Sequence, residues 1–356
     1  MKIGFYPYYS DNNKFIQITQ EIIRECGCEI VPASKRLLLQ RKQNKADAVF
    51  LNWFESINVE NNSTFLFYAL KRKIVILAYK LKKTKIVVYF HNRMPHDTST
   101  QRQAMALKYM KWLYNKADYI VILSKESEKY LHELVDKDVV ERKTRYIPHP
   151  NYIEAYSKND KTLQKNPEDK FRLLLIGNVR PYKNIEMIIE LARNSRDKDI
   201  CFTIMGKCSD KNYEREIINL ASELDNIHLE LKFVEDDQID QIIRNQDALV
   251  LPYDIKSSIN SGIVILAFSN ARTVICPEIP MVDDFNKENI YYYNYGSLKE
   301  HKIELQRRVL QAYNDWKTNP ERFYKKGLEL FNEVQNKNSP SRIQDLYNEL
   351  LKEIVE

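Results

Sequence analysis

Short runs of consecutive apolar residues alternate along the chain with longer segments in which apolar residues recur every three or four positions. Short continuous apolar runs are typical of strands buried on both faces, and the periodic segments predict amphipathic helices that cover them. The pattern therefore predicts an α/β fold with parallel sheets. The predicted strands are Ile3–Tyr6, Ala48–Leu51, Ile86–Phe90, Tyr119–Leu123, Tyr146–Pro148, Phe171–Ile176, Cys201–Met205, His228–Phe233, Ala248–Pro252 and Thr273–Cys276. The predicted helices include Phe15–Arg24, Arg102–Tyr114, Ile185–Arg193 and a tail over Glu304–Glu356 that is interrupted near Asn338–Pro340.

A polar segment, residues 157–170, interrupts the alternation and predicts an interdomain linker. We therefore expect an N-terminal domain over residues 1–156 and a C-terminal domain over residues 171–340, with a final helix at 341–356 that packs back on the first domain. Two successive βαβ series predict two doubly wound, Rossmann-like domains that face each other across a cleft. In such sheets, ligands bind outside the carboxyl ends of the strands.

Positive charge is concentrated in the first part of the chain. Residues 1–155 contain 26 Lys+Arg and 16 Asp+Glu, whereas the remainder contains 29 and 33. This asymmetry predicts a one-sided anionic partner, such as anionic lipid, a lipid diphosphate or nucleic acid. Nucleic acid is not favoured, because no recognition motif accompanies the basic segments.

The sequence favours a cytoplasmic location. No apolar run approaches the roughly 18 residues of a membrane-spanning helix, and Met1–Phe5 predicts a strand rather than a signal peptide. The five cysteines are odd in number and lack the paired spacing of a zinc site, so we expect reduced thiols and no metal centre.

A basic turn follows the predicted strand Phe171–Ile176. Gly177 ends the strand, Arg180 and Lys183 lie in the turn, and Asn184 is a good N-cap for the next helix. Two cations and free helix-start amides at the carboxyl end of a strand predict an anion site, most naturally for a diphosphate. A solvated basic turn is the alternative interpretation.

A second polar loop follows the predicted strand Ala248–Pro252. The small residues Asn260, Ser261 and Gly262 precede a wholly apolar helix. Gly262 allows a ligand to approach the backbone, and the helix N-terminus favours negative charge. Phosphate binding and an ordinary buried helix with a serine cap are both compatible with this pattern.

The order of these segments resembles the C-terminal domain of GT-B glycosyltransferases. It is similar to family 4 and its exopolysaccharide-assembly relatives, which include bacterial glycolipid mannosyltransferases. The resemblance implies that a nucleotide-sugar is a substrate, with UDP or GDP as the nucleotide, and that no cofactor is needed. It also implies diphosphate binding by Gly177, Arg180, Lys183, Ser261 and Gly262, and a donor site lined by His149, Tyr253, Ser258 and Asn260.

The chain departs from family 4 at one pair of positions. Many family 4 enzymes have two glutamates eight residues apart around the apolar helix, and here Ser258 and Leu266 occupy those positions. The second glutamate usually holds the ribose, so the ribose ligand is not identified. Inverting and retaining mechanisms both stay open.

A polar cluster, Phe90–Asp97, directly follows the predicted strand Ile86–Phe90. It resembles the His-Asn-x-x-Pro-His-Asp/Glu stretch of the polysaccharide enzymes, which implies catalytic roles for His91, His96 and Asp97. His96 or Asp97 would be the base of an inverting enzyme, and His91 would hold donor sugar or phosphate in a retaining one. Asp97 as a helix cap is the alternative.

Two basic, aromatic-bearing segments, Tyr68–Lys85 and Arg102–Lys116, are typical of helices that lie on anionic membranes. Core helices with solvated lysines are the alternative. We expect a glycosyltransferase that is peripheral at the inner face of the plasma membrane and moves a sugar to a polyprenyl-diphosphate-linked or oligosaccharide acceptor in capsule, exopolysaccharide or O-antigen assembly. The N-terminal domain would bind the acceptor. The alternatives are a UDP-sugar 2-epimerase of the same fold and a non-catalytic, donor-binding partner of a transferase.

Overall fold

The computed structural model describes residues 1–10, 13–34, 37–38, 45–57, 59, 61–94, 100–156, 170–256 and 258–356. Two compact units are present. Unit 1 comprises Met1–Pro150, Lys256–Asn260 and Lys337–Glu356, and unit 2 comprises Asn151–Ile255 and Ser261–Asn336. The predicted linker at 157–170 lies outside the described residues except for Lys170, and so do His96 and Asp97.

Unit 1 contains a parallel six-stranded sheet in the order β2-β1-β3-β4-β5-β6. Strand β1 lies between β2 and β3, so the chain builds the sheet first in one direction and then in the other. The switch point, where this direction reverses, lies between β1 and β3. The strands are β1 Lys2–Tyr6, β2 Glu29–Pro32, β3 Ala48–Leu51, β4 Lys85–Phe90, β5 Tyr119–Ile122 and β6 Thr144–Tyr146.

The helices of unit 1 begin with α1, which buries one apolar face and is capped by Asn13, whose side chain accepts from the Phe15 N–H group at 3.1 Å. In chain order they are α1 Lys14–Glu25, α2 Asn62–Leu81, α3 Thr100–Lys116, α4 Glu128–Leu131 and α5 Lys137–Lys143.

Unit 2 contains a second parallel six-stranded sheet, in the order β12-β11-β10-β7-β8-β9. Its switch point lies between β7 and β10, the arrangement that binds nucleotides in doubly wound proteins. The strands are β7 Phe171–Ile176, β8 Ile200–Met205, β9 Ile227–Glu230, β10 Ala248–Val250, β11 Thr273–Pro277 and β12 Tyr291–Tyr293. The helices are α6 Ile185–Arg193, α7 Lys211–Ala221, α8 Asp236–Arg244, α9 Gly262–Ser269, α10 Pro280–Asp283, α11 Leu298–Thr318 and α12 Pro320–Lys337.

The last helix, α13 at Pro340–Val355, belongs to unit 1 and packs against α1. The Tyr347 hydroxyl lies 2.6 Å from that of Tyr89 in β4, and Glu353 forms an ion pair with Arg145. The predicted α/β class with two doubly wound sheets is confirmed.

Two strands and one helix break escaped the sequence analysis. Strands β2 and β12 have only four and three residues and lie at sheet edges, where a long apolar run is not needed. Strand β6 ends at Tyr146, where the predicted strand begins, and the helical tail has a second break at Asn319.

Helix α3 corrects one of the two membrane-contact predictions. Its apolar side chains are core residues: Ala106, Tyr109, Met110, Leu113 and Tyr114 are all buried in unit 1. Residues 102–116 therefore form a core helix with solvated lysines, and membrane contact stays a prediction for α2 alone.

Replacing Gly327 in α12 with alanine should lower the free energy of unfolding by about 1–3 kcal/mol, because the new methyl group would overpack. A Cβ at this position would lie 2.1 Å from the Ala271 carbonyl oxygen. The usual gain of about 0.5–1 kcal/mol for Gly→Ala in a helix is thereby reversed. Urea unfolding measures the difference.

The matched control is Gly296→Ala, where the new Cβ would meet only the carboxylate of Glu300, at 3.2 Å. A change within about 0.5 kcal/mol is expected there. A stabilised Gly327→Ala protein would contradict the close approach of α12 to Ala271.

Candidate functional site

The turn after β7 lies at the switch point of unit 2. Pro181–Lys183 forms a single 3₁₀ turn, and Asn184 follows in the left-handed region with φ of 52°. Asn184 occupies the N-cap position of α6, as predicted, but its side chain does not cap the helix. Instead its amide donates to the Pro252 carbonyl at 2.7 Å and joins the loops that follow β7 and β10.

Lys183 is the most informative residue of this turn. Its side chain is buried, with 6% exposed, and its ammonium group has no hydrogen bond or ion pair within the described residues. Burial, followed by the charge of Arg180, lowers its pKa to about 8. A buried cation without an anionic partner is costly, which indicates that an anionic ligand completes the site.

Gly177 brings the lysine and α9 together. Its φ is +101°, and a Cβ built on it would lie 3.3 Å from Lys183 Nζ and 3.5 Å from Ile263 Cδ1. The ammonium group and the first turn of α9 therefore approach the same point, where a side chain would take up the space. Exposed Arg180 adds a second cation beside the turn.

The N-terminus of α9 is organised by Ser261. Its hydroxyl accepts from the Val264 N–H group at 3.3 Å and lies 2.9 Å from the hydroxyl of buried Tyr253. The amides of Gly262 and Ile263, in the first turn, have no intrahelical acceptor. Unit 2 thus contains all five predicted diphosphate-binding residues, in the turn after β7 and at the start of α9. Tyr253, which was predicted to line the donor site, contacts the Ser261 hydroxyl.

Leu266 is buried within α9, so its position supplies no polar group for a ribose. Arg272, just before β11, has a structural role. Its guanidinium donates to the Gln246 and Arg244 carbonyls at 2.6 and 2.7 Å and caps the end of α8.

In unit 1, His91 follows β4 and is buried in an aromatic cage. Its ring stacks on Trp53 at 4.1 Å and contacts Phe15 edge-on at 5.5 Å. Its Nε2 lies 2.9 Å from Asn52 Oδ1, and since the Asn52 amide nitrogen donates to the Tyr6 carbonyl, we assign Nε2 as the protonated nitrogen. The assignment leaves Nδ1 of His91 as an acceptor.

His149 lies in the same cluster, with its ring 4.9 Å from that of Phe15. Burial, followed by the charge of His149, lowers the pKa of His91 to about 3, and burial lowers that of His149 to about 4. Both imidazoles are therefore neutral near pH 7. Neither can neutralise a diphosphate, and His91 is too weak a base to deprotonate an acceptor hydroxyl.

Three residues of this cluster were missed in the sequence: Asn52, Trp53 and Glu55, which directly follow β3. Trp53 has a φ of 50°, an uncommon conformation for a bulky residue that often marks a functional site. Burial raises the pKa of Glu55 to about 8, although backbone N–H groups and Arg72 oppose this. Their position after a buried strand was the available signal.

Ser258 and Asn260 contact the residues that follow β4, within unit 1. Ser258 forms an antiparallel bridge with Asn92, and the Asn260 amide donates to the carbonyls of Phe90 and His91 at 3.1 and 3.2 Å. The Asn260 side-chain oxygen is buried without a hydrogen-bond partner in the described structure. These two residues thus belong with His91 in unit 1.

Lowering the pH from 7 to 5 should reduce the free energy of unfolding by about 3 kcal/mol. The folded-state pKa values of His91, His149 and His301 are lowered to about 3, 4 and 4. The unfolded chain therefore binds more protons below pH 6.5, which costs about 2 kcal/mol per histidine at pH 5. Glu55, with its pKa raised to about 8, opposes this loss, because the folded state then binds the extra proton.

Urea midpoints at the two pH values test this balance. In Glu55→Gln the opposing contribution is removed, so the acid-induced loss should become larger. Equal midpoints at pH 5 and 7 in the unmodified protein would show that the histidines are not buried in their neutral form.

Among the described residues, no helix is both long and apolar enough to cross a bilayer, and no group of three or more His, Cys, Asp or Glu side chains could hold a metal ion. Cofactor-free and metal-free transfer stays a prediction.

Residues 157–329 match the family model of glycosyl transferases group 1. A GDP-mannose:glycolipid 4-beta-D-mannosyltransferase of Xanthomonas campestris pv. campestris is 24% identical over 204 residues, which make up 57% of this chain and 53% of that protein. The match thus spans about half the length of this curated relative.

Two crystal structures resemble the whole chain. That of Anabaena Alr3699/HepE in complex with UDP and glucose has a TM-score of 0.72 at 13% identity, covering 99% of this chain and 100% of that one. A glycosyltransferase from Rickettsia africae ESF-5 has a TM-score of 0.67 at 15% identity, covering 100% and 98%. At these identities the likeness establishes the GT-B fold.

The chain therefore has the GT-B fold, and its residues 157–329 match the model of the glycosyl transferases group 1 family. The resemblance inferred from the sequence is confirmed at this level. All five residues of the basic turn and of the α9 N-terminus lie inside the matched region.

Proposed function

We propose that this protein is a glycosyltransferase that moves a hexose from a UDP- or GDP-sugar to a lipid-linked or saccharide acceptor. The observation that carries the proposal is the largely buried side chain of Lys183, whose ammonium group lies beside Gly177 and the start of α9 and has no ion-pair partner among the described residues. A diphosphate supplies the negative charge that this arrangement lacks. The family match over the same residues supports this interpretation.

The donor diphosphate would contact Lys183 and Arg180 and the free amides of Gly262 and Ile263. Charge develops on the diphosphate as the bond to the sugar breaks, so fixed cations and helix-start amides stabilise the transition state more than the ground state. Ser261, held by Tyr253, would fix the position of these amides.

The acceptor would bind unit 1, near His91. The glycolipid acceptor named for the Xanthomonas relative supports a lipid-linked saccharide, as in the assembly of bacterial surface polysaccharide at the inner face of the plasma membrane. Because His91 is buried and neutral, it would orient substrate by a hydrogen bond. The base of an inverting reaction would then be His96 or Asp97.

Calorimetric titration with UDP and GDP, followed by an assay of donor consumption with and without a lipid-linked acceptor, tests the proposal. A transferase releases nucleoside diphosphate in an acceptor-dependent manner. Isomerisation of the donor without acceptor would instead identify a 2-epimerase, and binding without turnover would identify a non-catalytic partner. Failure to bind either nucleotide would refute the donor site.

A further inference from the structure

Helix α2 has two apolar faces, and only one of them is in the core of unit 1. Phe65, Ala69, Ile76 and Tyr79 are buried. On the opposite side lies an outer stripe, which is largely exposed to solvent: Leu81 is 88% exposed, Phe67 63% and Ile74 58%. The outer stripe consists of Leu66, Phe67, Leu70, Ile74, Leu77 and Leu81.

Helical geometry places the outer stripe in one narrow band. At about 100° per residue, its six side chains fall within roughly 100° of the helix circumference. Lys71 borders one edge of this band, and Lys73 and Lys80 border the other. An exposed apolar band with lysines at both edges is the arrangement of a helix that lies in the plane of a lipid–water interface.

A basic pocket of about 700 Å³ adjoins the outer stripe through Leu77. It lies where β4 and β5 begin, the sheet edge opposite to His91. Six of its eleven lining residues are cations and one is an acid, Asp118. The six cations are Lys80, Lys85, Lys116, Arg142, Lys143 and Arg145.

Three of these cations are already engaged. Lys80 pairs with Asp118 at 2.6 Å, Arg145 pairs with Glu353, and Lys143 donates to the Asn115 and Ala117 carbonyls at 2.8 and 2.7 Å.

Lys85, Lys116 and Arg142 have no carboxylate partner in the described part of the chain. Burial, and then the charges of Lys80 and Arg142, lower the pKa of Lys143, while the charge of Asp118 opposes this shift. The pocket therefore has unmatched positive charge that suits phosphate groups.

We propose that the outer stripe and the basic pocket form one docking surface for an anionic lipid bilayer. The stripe enters the boundary between headgroups and acyl chains, and the pocket binds lipid phosphates. Charge complementarity and the continuity of the two features through Leu77 favour lipid over other occupants. The inference rests on the proposed function only for the purpose of docking, which is to bring the enzyme to a lipid-linked acceptor.

Co-sedimentation with vesicles tests the surface without requiring activity. The unmodified protein should bind phosphatidylcholine vesicles that contain phosphatidylglycerol and bind pure phosphatidylcholine weakly. Leu70→Glu combined with Ile74→Glu should weaken binding by about 100-fold, since charges are expelled from the interface. The triple variant Lys85→Ala, Lys116→Ala, Arg142→Ala should lose about 100-fold as well, since each basic residue near an anionic surface contributes about fivefold.

Matched controls carry the same changes on exposed surface elsewhere. Leu298→Glu with Ile303→Glu uses two exposed apolar residues of α11. Lys211→Ala, Lys232→Ala and Lys325→Ala removes three exposed lysines of unit 2. Both controls should bind vesicles as the unmodified protein does. Equal losses in the controls and the α2 variants would overturn the proposal, as would no vesicle binding at all.

Two further measurements exclude other occupants. Inorganic phosphate at constant ionic strength should leave the protein on the vesicles, and full displacement would mean that the pocket takes a soluble phosphate instead. Sedimentation without lipid should show the same mass for the unmodified protein and the Leu70→Glu, Ile74→Glu variant. A dimer that this variant dissociates would mean that a second copy covers the stripe.

Donor binding by UDP or GDP should be unchanged in all α2 and pocket variants. A protein that binds nucleotide but not vesicles would refute the docking surface and leave the proposed function intact. The reverse result would refute the donor site alone.

Discussion

Replacing Lys183 with methionine should weaken the binding of UDP or GDP by about 10- to 150-fold, which corresponds to about 1.5–3 kcal/mol. The loss follows from removing a charged hydrogen-bond donor whose side chain is only 6% exposed. Isothermal calorimetry with each nucleotide measures it. Lys325→Met, at a 69% exposed position, is the matched control and should bind normally.

The same substitution should raise the stability of the ligand-free protein, by on the order of 1–3 kcal/mol at pH 7. The pKa of Lys183 is lowered to about 8 in the folded state. The charged form is therefore destabilised by folding, and this cost fades as the pH rises from about 8 towards the unfolded value near 10.5. A variant that is more stable but binds the donor more weakly would identify Lys183 as a functional residue. A loss of both stability and donor affinity would identify it as a structural one.

The affinity for the donor should also fall above pH 8, because binding requires the ammonium form of Lys183. The limiting slope is about tenfold per pH unit. In Lys183→Arg the guanidinium stays charged, so the slope should disappear between pH 7 and 9.5. An affinity that is independent of pH in the unmodified protein would place the diphosphate elsewhere.

In an inverting reaction, removing the catalytic base should lower kcat by about 10²–10⁴-fold with little change in donor affinity. His91 is excluded as this base, because its pKa is lowered to about 3 and Asn52 holds its Nε2. His96 and Asp97 follow the same strand, β4, in the sequence. We therefore expect the loss in either Asp97→Asn or His96→Gln, measured as acceptor-dependent release of nucleoside diphosphate.

His91→Gln is the companion variant, and it should lower kcat far less, since glutamine can still offer a hydrogen bond. The anomeric configuration of the product, read by NMR, gives an independent check, because a base is needed only if the configuration inverts. Retention of the anomeric configuration, together with a large loss of kcat in His91→Gln alone, would assign His91 to holding the donor sugar or phosphate. This result would contradict a role for His96 or Asp97 as a catalytic base.

Much of the proposed diphosphate site could be located from the sequence because its elements are local. Strand β7, the turn with Arg180 and Lys183, and the start of α6 occupy one continuous stretch of chain. The rule that ligands bind where parallel strands end then located them. The same rule applied to β3 would have found Asn52 and Glu55, but those residues carry no phosphate-binding signature and were passed over.

The two basic segments show the limit of a pattern. Segments Tyr68–Lys85 and Arg102–Lys116 both combine lysines with apolar and aromatic residues. In α3 the apolar residues pack into the core, whereas α2 has a buried face and an exposed outer stripe. Periodicity reports how many apolar faces a helix has, but which face meets the protein depends on its neighbours.

By itself, the sequence determined the alternation of strands and helices, hence two doubly wound sheets, and the cationic turn and small-residue helix start of the proposed donor site. These features depend on spacing along a few neighbouring residues. Tertiary structure alone decided that Lys183 is buried without a partner among the described residues, that Asn52, Trp53 and Glu55 lie around His91, and that the outer stripe of α2 faces solvent. Burial and pKa depend on which distant segments exclude water, and no local pattern contains that information.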